Sequence, residues 1–407
     1  MRVLTLLPPA EALARLNAAL DAARCSLGVE QVATAQALNR VLAEDVRSPV
    51  DVPEFPRSAV DGYAVWSAST PGDLRIVGEV RMGEISTLHV RAGEAVRVPT
   101  GGHVPEGADA VLMQEHTQRV DEQTIRAPVR LVPGENVIHQ AEDLHAGDVA
   151  VPAGRRLREQ EIAGLLALGI TQVLVRRKPR VALIASGNEL VPADQPVRRG
   201  QVRNINAPML AALVLRNGGE PLDYGILPDE RAAFEQAAER AMREADVIVF
   251  MAGSSVGEHD FVADVVARMG APGILAHGIY FRPGKPTLFA VCAGKPVFGL
   301  PGNPISALVT GTLFLAPTLW RVQGAHNPPG VAWVRAQLKQ SVKSPRDLEH
   351  WIPVILERAE DGALLATPFI VKSNLIFGLV RAHGLVCAPM GVNELRAGEM
   401  IDVRLFA

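Results

Sequence analysis

Asp246-Val-Ile-Val-Phe250 runs straight into Ala252-Gly253-Ser254-Ser255-Val256-Gly257-Glu258-His259-Asp260, after which Phe261, Val262, Val265, Val266 and Met269 recur at helical spacing. The apolar run, mostly β-branched or aromatic, predicts a buried strand. Strand, Gly/Ser-rich turn and helix together present backbone N–H groups and a helix N-terminus to an anion. Downstream lie Arg282-Pro-Gly-Lys285-Pro286 and Gly299-Leu-Pro301-Gly302-Asn303-Pro304-Ile-Ser306-Ala307. In the second of these, Asn303 suits an N-cap and Pro304 the first helical position. Two cations between two helix-opening turns suit a polyanionic ligand. Taken singly, each piece has a commonplace reading: any α/β fold needs Gly/Ser turns, and Arg282 with Lys285 fits a solvated surface pair. The turn is no Walker loop, since neither GxxxxGK[ST] nor a helix-opening GxGxxG occurs here.

The same strand-then-turn pattern appears upstream, in Val181-Ala-Leu-Ile184 followed by Ala185-Ser186-Gly187-Asn188-Glu189. Ala207 to Arg216 has helical spacing and stops at Gly218-Gly219, and Asp229 to Ala245 reads as a helix with Asp229 at its cap. Strands alternating with helices predict a parallel, doubly wound sheet whose ligands bind at the carboxyl ends of the strands. Ser186, Asn188, Glu189, Ser255 and Asp260 then gather at that edge.

On either side the texture changes. Pro9 to Leu20 places Ala10, Leu13, Leu16 and Leu20 on one helical face, and a second helical pattern covers Thr34 to Leu42. Asp51-Val-Pro-Glu-Phe-Pro-Arg-Ser58-Ala-Val-Asp61-Gly62-Tyr63-Ala64 reads as an ordered loop leading into a strand. From Asp73 to Val151, short Val-rich segments punctuated by glycine predict a small all-β insert. Arg158 to Leu168 is a helical pattern that Gly169 is placed to end. Beyond Gln323, segments such as Leu385-Val-Cys-Ala and Met400-Ile-Asp-Val-Arg-Leu predict a C-terminal β domain. The division that follows is a helical/linker domain from 1–49 and 145–178, a β-rich insert from 50–144, a doubly wound α/β domain from 179–325 and a β domain from 326–407.

Composition bounds the function. The chain has 407 residues, 48% hydrophobic and 4% aromatic, with 41 basic and 44 acidic residues and a formal charge of −3. That length supports several domains, each with its own core. A near-neutral balance without a basic stripe argues against nucleic-acid binding. Cys25, Cys292 and Cys387 are scattered, which supports neither a disulfide framework nor a zinc site. The N-terminal apolar run is too short for a signal peptide. Pro296 to Trp320 carries no charge, but Thr310, Gly311, Thr312 and Pro317 interrupt its apolar part, so a buried helix is preferred to a span. A cytoplasmic protein with no membrane segment is the expectation.

In their order along the chain, GSSVGEHD, RPGKP and GLPGNPISA resemble the signature of the molybdopterin molybdenumtransferase family, MoeA in bacteria and the gephyrin E domain in animals. Ser58-Ala-Val-Asp61-Gly62-Tyr63-Ala64 resembles that family's SAMDGYA box, and Thr100-Gly-Gly-His-Val-Pro-Glu-Gly107 and Glu142-Asp143 match further boxes. The resemblance covers essentially the whole chain. It implies a molybdopterin-binding-like α/β domain, and insertion of molybdate into adenylylated molybdopterin with release of AMP, assisted by Mg2+. It further implies a homodimer and contact with the molybdopterin adenylyltransferase. By the same route Asp61, Asp143, Glu189 and Asp260 become catalytic candidates, with Glu189 and Asp260 as metal ligands. Thr100, Ser186, Gly187, Asn188, Asn206, Asp229, Gly253, Ser254, Ser255, Gly257, Arg282, Lys285, Pro301, Asn303, Ser306 and Ser373 become substrate-binding candidates. The chemistry is consistent: magnesium beside a pyrophosphate takes oxygen ligands, and arginine and lysine offer fork and point-charge donors to a compact dianion.

Departures from the family pattern accompany these matches. Gly187-Asn188-Glu189 stands where Gly-Asp-Glu is usual, Asn204-Ile205-Asn206 where Asp-x-Asn is common, and Met251-Ala252-Gly253 where Ser-Gly-Gly is usual. Ser344 to Pro353 lacks the family's Gly-Arg pattern, leaving Arg346 and Lys372-Ser373 as anion-binding substitutes. Two alternatives stay open at this level: a tungstate-inserting enzyme of the same fold, and a non-catalytic molybdopterin-binding or scaffolding paralogue.

Overall fold

The computed structural model describes residues 6–25, 27–252, 261–369 and 372–406. Two compact units emerge, Glu44–Ala153 with Glu159–Thr171, and Met1–Ala43 with Gly154–Arg158 and Gln172–Ala407.

In the smaller unit, six strands lie in the order Ala110–Met113, Gly62–Val65, Glu94–Val98, Gly72–Glu79, Thr124–Ala127, Gln118–Arg119. Side chains alternate across this sheet, as the period of two requires. Tyr63, Val65, Leu74, Leu112 and Ile125 pack on one face, and Ala64, Val96, Val98 and Val111 on the other. Both faces are buried, which accounts for the unbroken apolar run after Asp61. The pattern from Arg158 to Leu168 is realised as the helix Glu159–Ala167.

The larger unit is built on a second six-stranded sheet, ordered Glu220–Leu227, Arg180–Ser186, Val247–Ala252, Lys295–Pro301, Leu288–Cys292, Pro272–His277. Its first four strands are parallel. Val181, Leu183, Val249 and Met251 pack with Leu16, Leu20, Leu210, Val214, Ile305 and Leu319 on one side. Ala182, Ile184, Ile248 and Phe250 pack with Phe234, Ala238, Ala241 and Val266 on the other. The sheet is therefore doubly wound. It is not wholly parallel, however: Leu288–Cys292 and Pro272–His277 add antiparallel. The cause is a two-residue turn, Ala293-Gly294, with positive φ at both residues (46° and 82°), which is the geometry of a tight hairpin.

Among the described residues one helix, Pro304–Val322, is long and apolar enough to cross a membrane, and 78% of its apolar window is buried inside the fold. It is the core helix of the larger unit. Beyond it, Trp333–Leu338, Glu349–Arg358, Leu364–Pro368, Gly384–Ala388 and Met400–Leu405 pair in a closed ring around Leu338, Ile352, Val354, Val386 and Val403. A short strand, Phe281–Arg282, joins this barrel parallel to Glu349–His350.

Two local expectations are corrected. Thr34 to Leu42 is not a helix beyond the single turn Thr34–Gln36. Asn39 is left-handed (φ 62°), and the N–H groups of Asn39, Leu42 and Ala43 donate to Leu157, Arg155 and Leu174, so long-range pairing replaces the helical ladder. Asp229 does not cap the helix Arg231–Glu244 either. Glu230 occupies the N-cap without a side-chain bond, because Asp229 is engaged elsewhere.

Gly284, within Arg282-Pro-Gly-Lys285, has φ 122°, and a Cβ there would lie 2.4 Å from Thr310 Cγ2. Gly284→Ala is expected to lose about 2 kcal/mol or more of unfolding free energy, through strain and overpacking. Gly164→Ala, in an open position of the helix Glu159–Ala167, should be neutral or gain up to about 1 kcal/mol. Denaturant unfolding of both variants checks the pair, and equal effects would contradict the packing described.

Candidate functional site

Four parallel strands end together at one edge of the α/β sheet. Ser186 pairs with Leu227 there, and Ala252 with Pro301. After Ser186 the chain turns through Gly187, whose φ is 152°, and a Cβ on it would meet both Glu189 carboxylate oxygens at 2.8 Å. Only glycine lets that carboxylate fold back on the turn. The next residue is tied to the neighbouring strand end. The Asn188 N–H donates to Asp229 Oδ2 at 3.3 Å, and the Asp229 N–H donates to Asn188 Oδ1 at 3.2 Å. This reciprocal pair ties the loop that carries Glu189 to the loop that carries Asp229.

Asn204 and Asn206 have separate tasks. Asn204 Oδ1 accepts the Ala207 N–H at 3.3 Å, serving the first turn of the helix Asn206–Arg216. Asn206 Nδ2 donates to the Gly302 carbonyl at 2.7 Å, joining that helix to the GLPGNP turn. Asn303 does take the N-cap position of Pro304–Thr310, with Pro304 first in the helix, but its side chain makes no cap bond. The Ser373 carbonyl takes an N–H of that first turn instead, from Ile305 at 3.1 Å. Ser373 is thus brought to the helix N-terminus by its backbone. Ser306 lies buried in that same first turn.

Arg282 and Lys285 are exposed on a turn fixed by the Lys285 carbonyl, which accepts from Ile279 at 2.8 Å, and by Thr287 Oγ1 donating to the Gly284 carbonyl at 2.7 Å. Neither cation forms an ion pair among the described residues. Opposite Arg282 in the ladder is His350, which is 5% exposed. Burial first, and the Arg282 charge second, push its pKa down to about 4. It is therefore neutral at physiological pH and adds no second positive charge beside Arg282. His350 was not legible as a site residue, since on an apolar strand it reads as core.

The smaller unit holds its own group. Thr100 donates to Asp61 Oδ1 twice, from its N–H at 2.7 Å and its hydroxyl at 2.9 Å. These bonds, with the Arg97 charge as a lesser cause, hold the Asp61 carboxyl below its ordinary range. Thr100 therefore orients Asp61, and both its donors are already engaged. Asp143 is exposed, its N–H donating to the Val52 carbonyl at 3.0 Å. Gly253, Ser254, Ser255, Gly257 and Asp260 lie outside the described residues.

Among the described residues no group of three or more His, Cys, Asp or Glu is assembled for a metal. Glu189 and Asp229 are hard carboxylates on two loops tied together by the Asn188–Asp229 bonds, and magnesium typically takes one or two carboxylates while keeping several waters. The donor set fits that ion and not zinc.

Three family models match the chain: the MoeA N-terminal region (domains I and II) over residues 7–169, a probable molybdopterin-binding domain over 182–321, and the MoeA C-terminal region (domain IV) over 335–406. The molybdopterin molybdenumtransferase of a Nostoc species is 38% identical over 381 residues, 89% of this chain and 86% of the relative. That of Bacillus subtilis is 32% identical over 389 residues, 92% and 89% of the two chains. Among solved structures, a molybdopterin biosynthesis moeA protein from Pyrococcus horikoshii superposes with a TM-score of 0.82 at 31% identity, covering 99% of this chain and all of that one.

The Asp61–Thr100 bonds give a pH prediction. Because the folded pKa of Asp61 is depressed, their stabilisation is present above the unfolded pKa and is lost as pH falls through the folded one. Thr100→Val removes the hydroxyl donor and keeps the backbone donor. The Asp61 pKa should rise in Thr100→Val and stay low in Thr100→Ser, read by carboxyl-carbon NMR titration. An unmoved pKa in Thr100→Val would show that the hydroxyl does not orient Asp61.

Proposed function

The chain belongs to the molybdopterin molybdenumtransferase family, and on that premise we propose that it inserts molybdate into adenylylated molybdopterin, releasing AMP and yielding molybdenum cofactor. The carrying observation is the shared strand edge, where the Asn188–Asp229 pair, Glu189, the Asn206–Gly302 tie and the Ser373–Ile305 bond converge on helix-opening turns. A phosphoanhydride suits such an edge, since helix N-termini and backbone donors favour anions. The fixed, unpaired Arg282 and Lys285 suit the molybdate dianion, with arginine as fork and lysine as point charge. Magnesium, when bound, would be held by Glu189 and Asp229, with Asp260 as the further carboxylate on the family pattern. It would supply charge neutralisation at the phosphoanhydride. The protein's own part is to position the reacting groups. Asp61, oriented by Thr100, and Asp143 are the further catalytic candidates, carried by the smaller unit. A cytoplasmic homodimer that receives its substrate from the molybdopterin adenylyltransferase is the setting the family pattern supports. The four-domain division at 49/50, 144/145, 178/179 and 325/326 is proposed with it.

AMP release from adenylylated molybdopterin, with and without molybdate and magnesium, tests the proposal. Wild-type protein should release AMP only with both present. Glu189→Ala and Asp229→Ala should each lower the rate by about 100-fold, the scale for removing a group that holds a reacting centre, while unfolding midpoints stay close to wild type. Wild-type rates in both variants would remove these carboxylates from the site. Substituting tungstate in the same assay separates the two oxyanions.

A further inference from the structure

At the carboxyl edge of the α/β sheet, two buried polar atoms have no bonding partner among the described residues, Ser186 Oγ and Asn206 Oδ1. Ser186 is 3% exposed and Asn206 9%. Buried polar groups in folded proteins are nearly always hydrogen-bonded, so orphans at a site point to something that binds there. The two residues belong to touching elements. Ser186 ends the strand Arg180–Ser186, Asn206 opens the helix Asn206–Arg216, and their neighbours Ala185 and Ala207 share one core cluster.

The chemistry offered is selective. Asn206 Nδ2 is committed to the Gly302 carbonyl at 2.7 Å, which fixes the amide and leaves Oδ1 as an acceptor only. A fixed carbonyl-type acceptor repels an oxyanion, so phosphate and molybdate are not its occupants. Those anions have their donors at Arg282 and Lys285. What Oδ1 needs is an N–H, and the Ser186 hydroxyl adjusts to either role.

We propose that Ser186 and Asn206 read the amino-bearing edge of a heterocyclic ring of the substrate. The inference rests on the function proposed above, whose substrate carries two such rings, the aminopyrimidinone of the pterin and the adenine. The shared chemistry is a ring amine, and the test separates the sources.

Binding is measured by calorimetry on the full chain with four probes: AMP, its analogue lacking the 6-amino group, free pterin, and its analogue lacking the 2-amino group. For one of the two rings, wild-type protein should prefer the amine by about tenfold or more, since a site built around a buried acceptor rejects a ligand that leaves it unpaired. Ser186→Ala, which deletes only a hydroxyl, should reduce that preference, and Asn206→Leu should abolish it. Ser186→Ala keeps the test decisive should Asn206→Leu unfold through loss of the Gly302 tie. Equal binding of both members of both pairs by wild-type protein, or an unchanged preference in Ser186→Ala and Asn206→Leu, overturns the proposal and assigns the orphan atoms to water. Molybdate-dependent AMP release is measured on the same preparations. Turnover without amine preference removes only the ring-edge reading, whereas absent turnover in wild-type protein removes the function itself.

Discussion

Burial of the parallel strands on both faces is the constraint from which the site follows. Val181, Leu183 and Ala185 face one helical layer, and Ala182 and Ile184 the other. A strand apolar on both faces is held in register by two layers at once, and a one-residue slip exchanges every contact. Neighbouring strands in parallel register then stop at a common edge, where turns must expose backbone N–H groups. Ser186, Ala252 and Pro301 are where they stop. The polar groups found there have positions fixed by roughly 25 cal/mol of stabilisation for each Å² of apolar surface buried elsewhere.

Charge placement at this edge follows a different rule from the surface at large. Arg177 pairs with Asp246, Arg126 with Asp73, and Arg240 with Glu244. The exposed pairs Arg126–Asp73 and Arg240–Glu244 contribute about 0–1 kcal/mol each and mainly keep charges matched, whereas Arg177–Asp246 is part-buried and bidentate. Arg282 and Lys285 have no counter-ion among the described residues, and the residue facing Arg282 in the ladder is a histidine kept neutral by burial. A carboxylate in that place would compete directly with a bound oxyanion. The backbone of the turn carrying them is held by hydrogen bonds from Ile279 and Thr287, which on the proposed function would lower the ordering cost of binding an anion.

Much of this was legible in the sequence, for identifiable reasons. The strand at Asp246-Val-Ile-Val-Phe250 was visible because two-sided burial writes itself as a continuous apolar run, and Pro304 marked a helix start because its missing N–H costs nothing there. Thr34 to Leu42 misled because the backbone N–H groups of Asn39 and Leu42 donate to Leu157 and Arg155, more than a hundred residues away, and no apolar spacing reports such pairing. The hairpin that begins the antiparallel part of the sheet was hidden in two residues, Ala293-Gly294, whose turn geometry no pattern of hydrophobicity reports. Asp229 was misread as a cap because an acidic residue ahead of a helix usually is one. Its actual partner, Asn188, lies 41 residues earlier in the chain.

The asparagines that depart from the family pattern acquire distinct meanings once their partners are known. Asn204 accepts an N–H from the first turn of a helix, a role that asparagine and aspartate fill about equally well, so its amide costs the fold nothing. Asn188 is different, because its side chain and backbone both engage Asp229. An aspartate at 188 would accept the same N–H but set a second negative charge beside the Asp229 carboxylate. Both positions are exposed, so water and salt screen the repulsion between the two charges, but it still works against the tether. The amide keeps the tether and avoids that repulsion when no cation is present. The loop that presents Glu189 is thereby held in place before any metal or phosphate arrives, at the expense of one charge that would have helped to bind the cation.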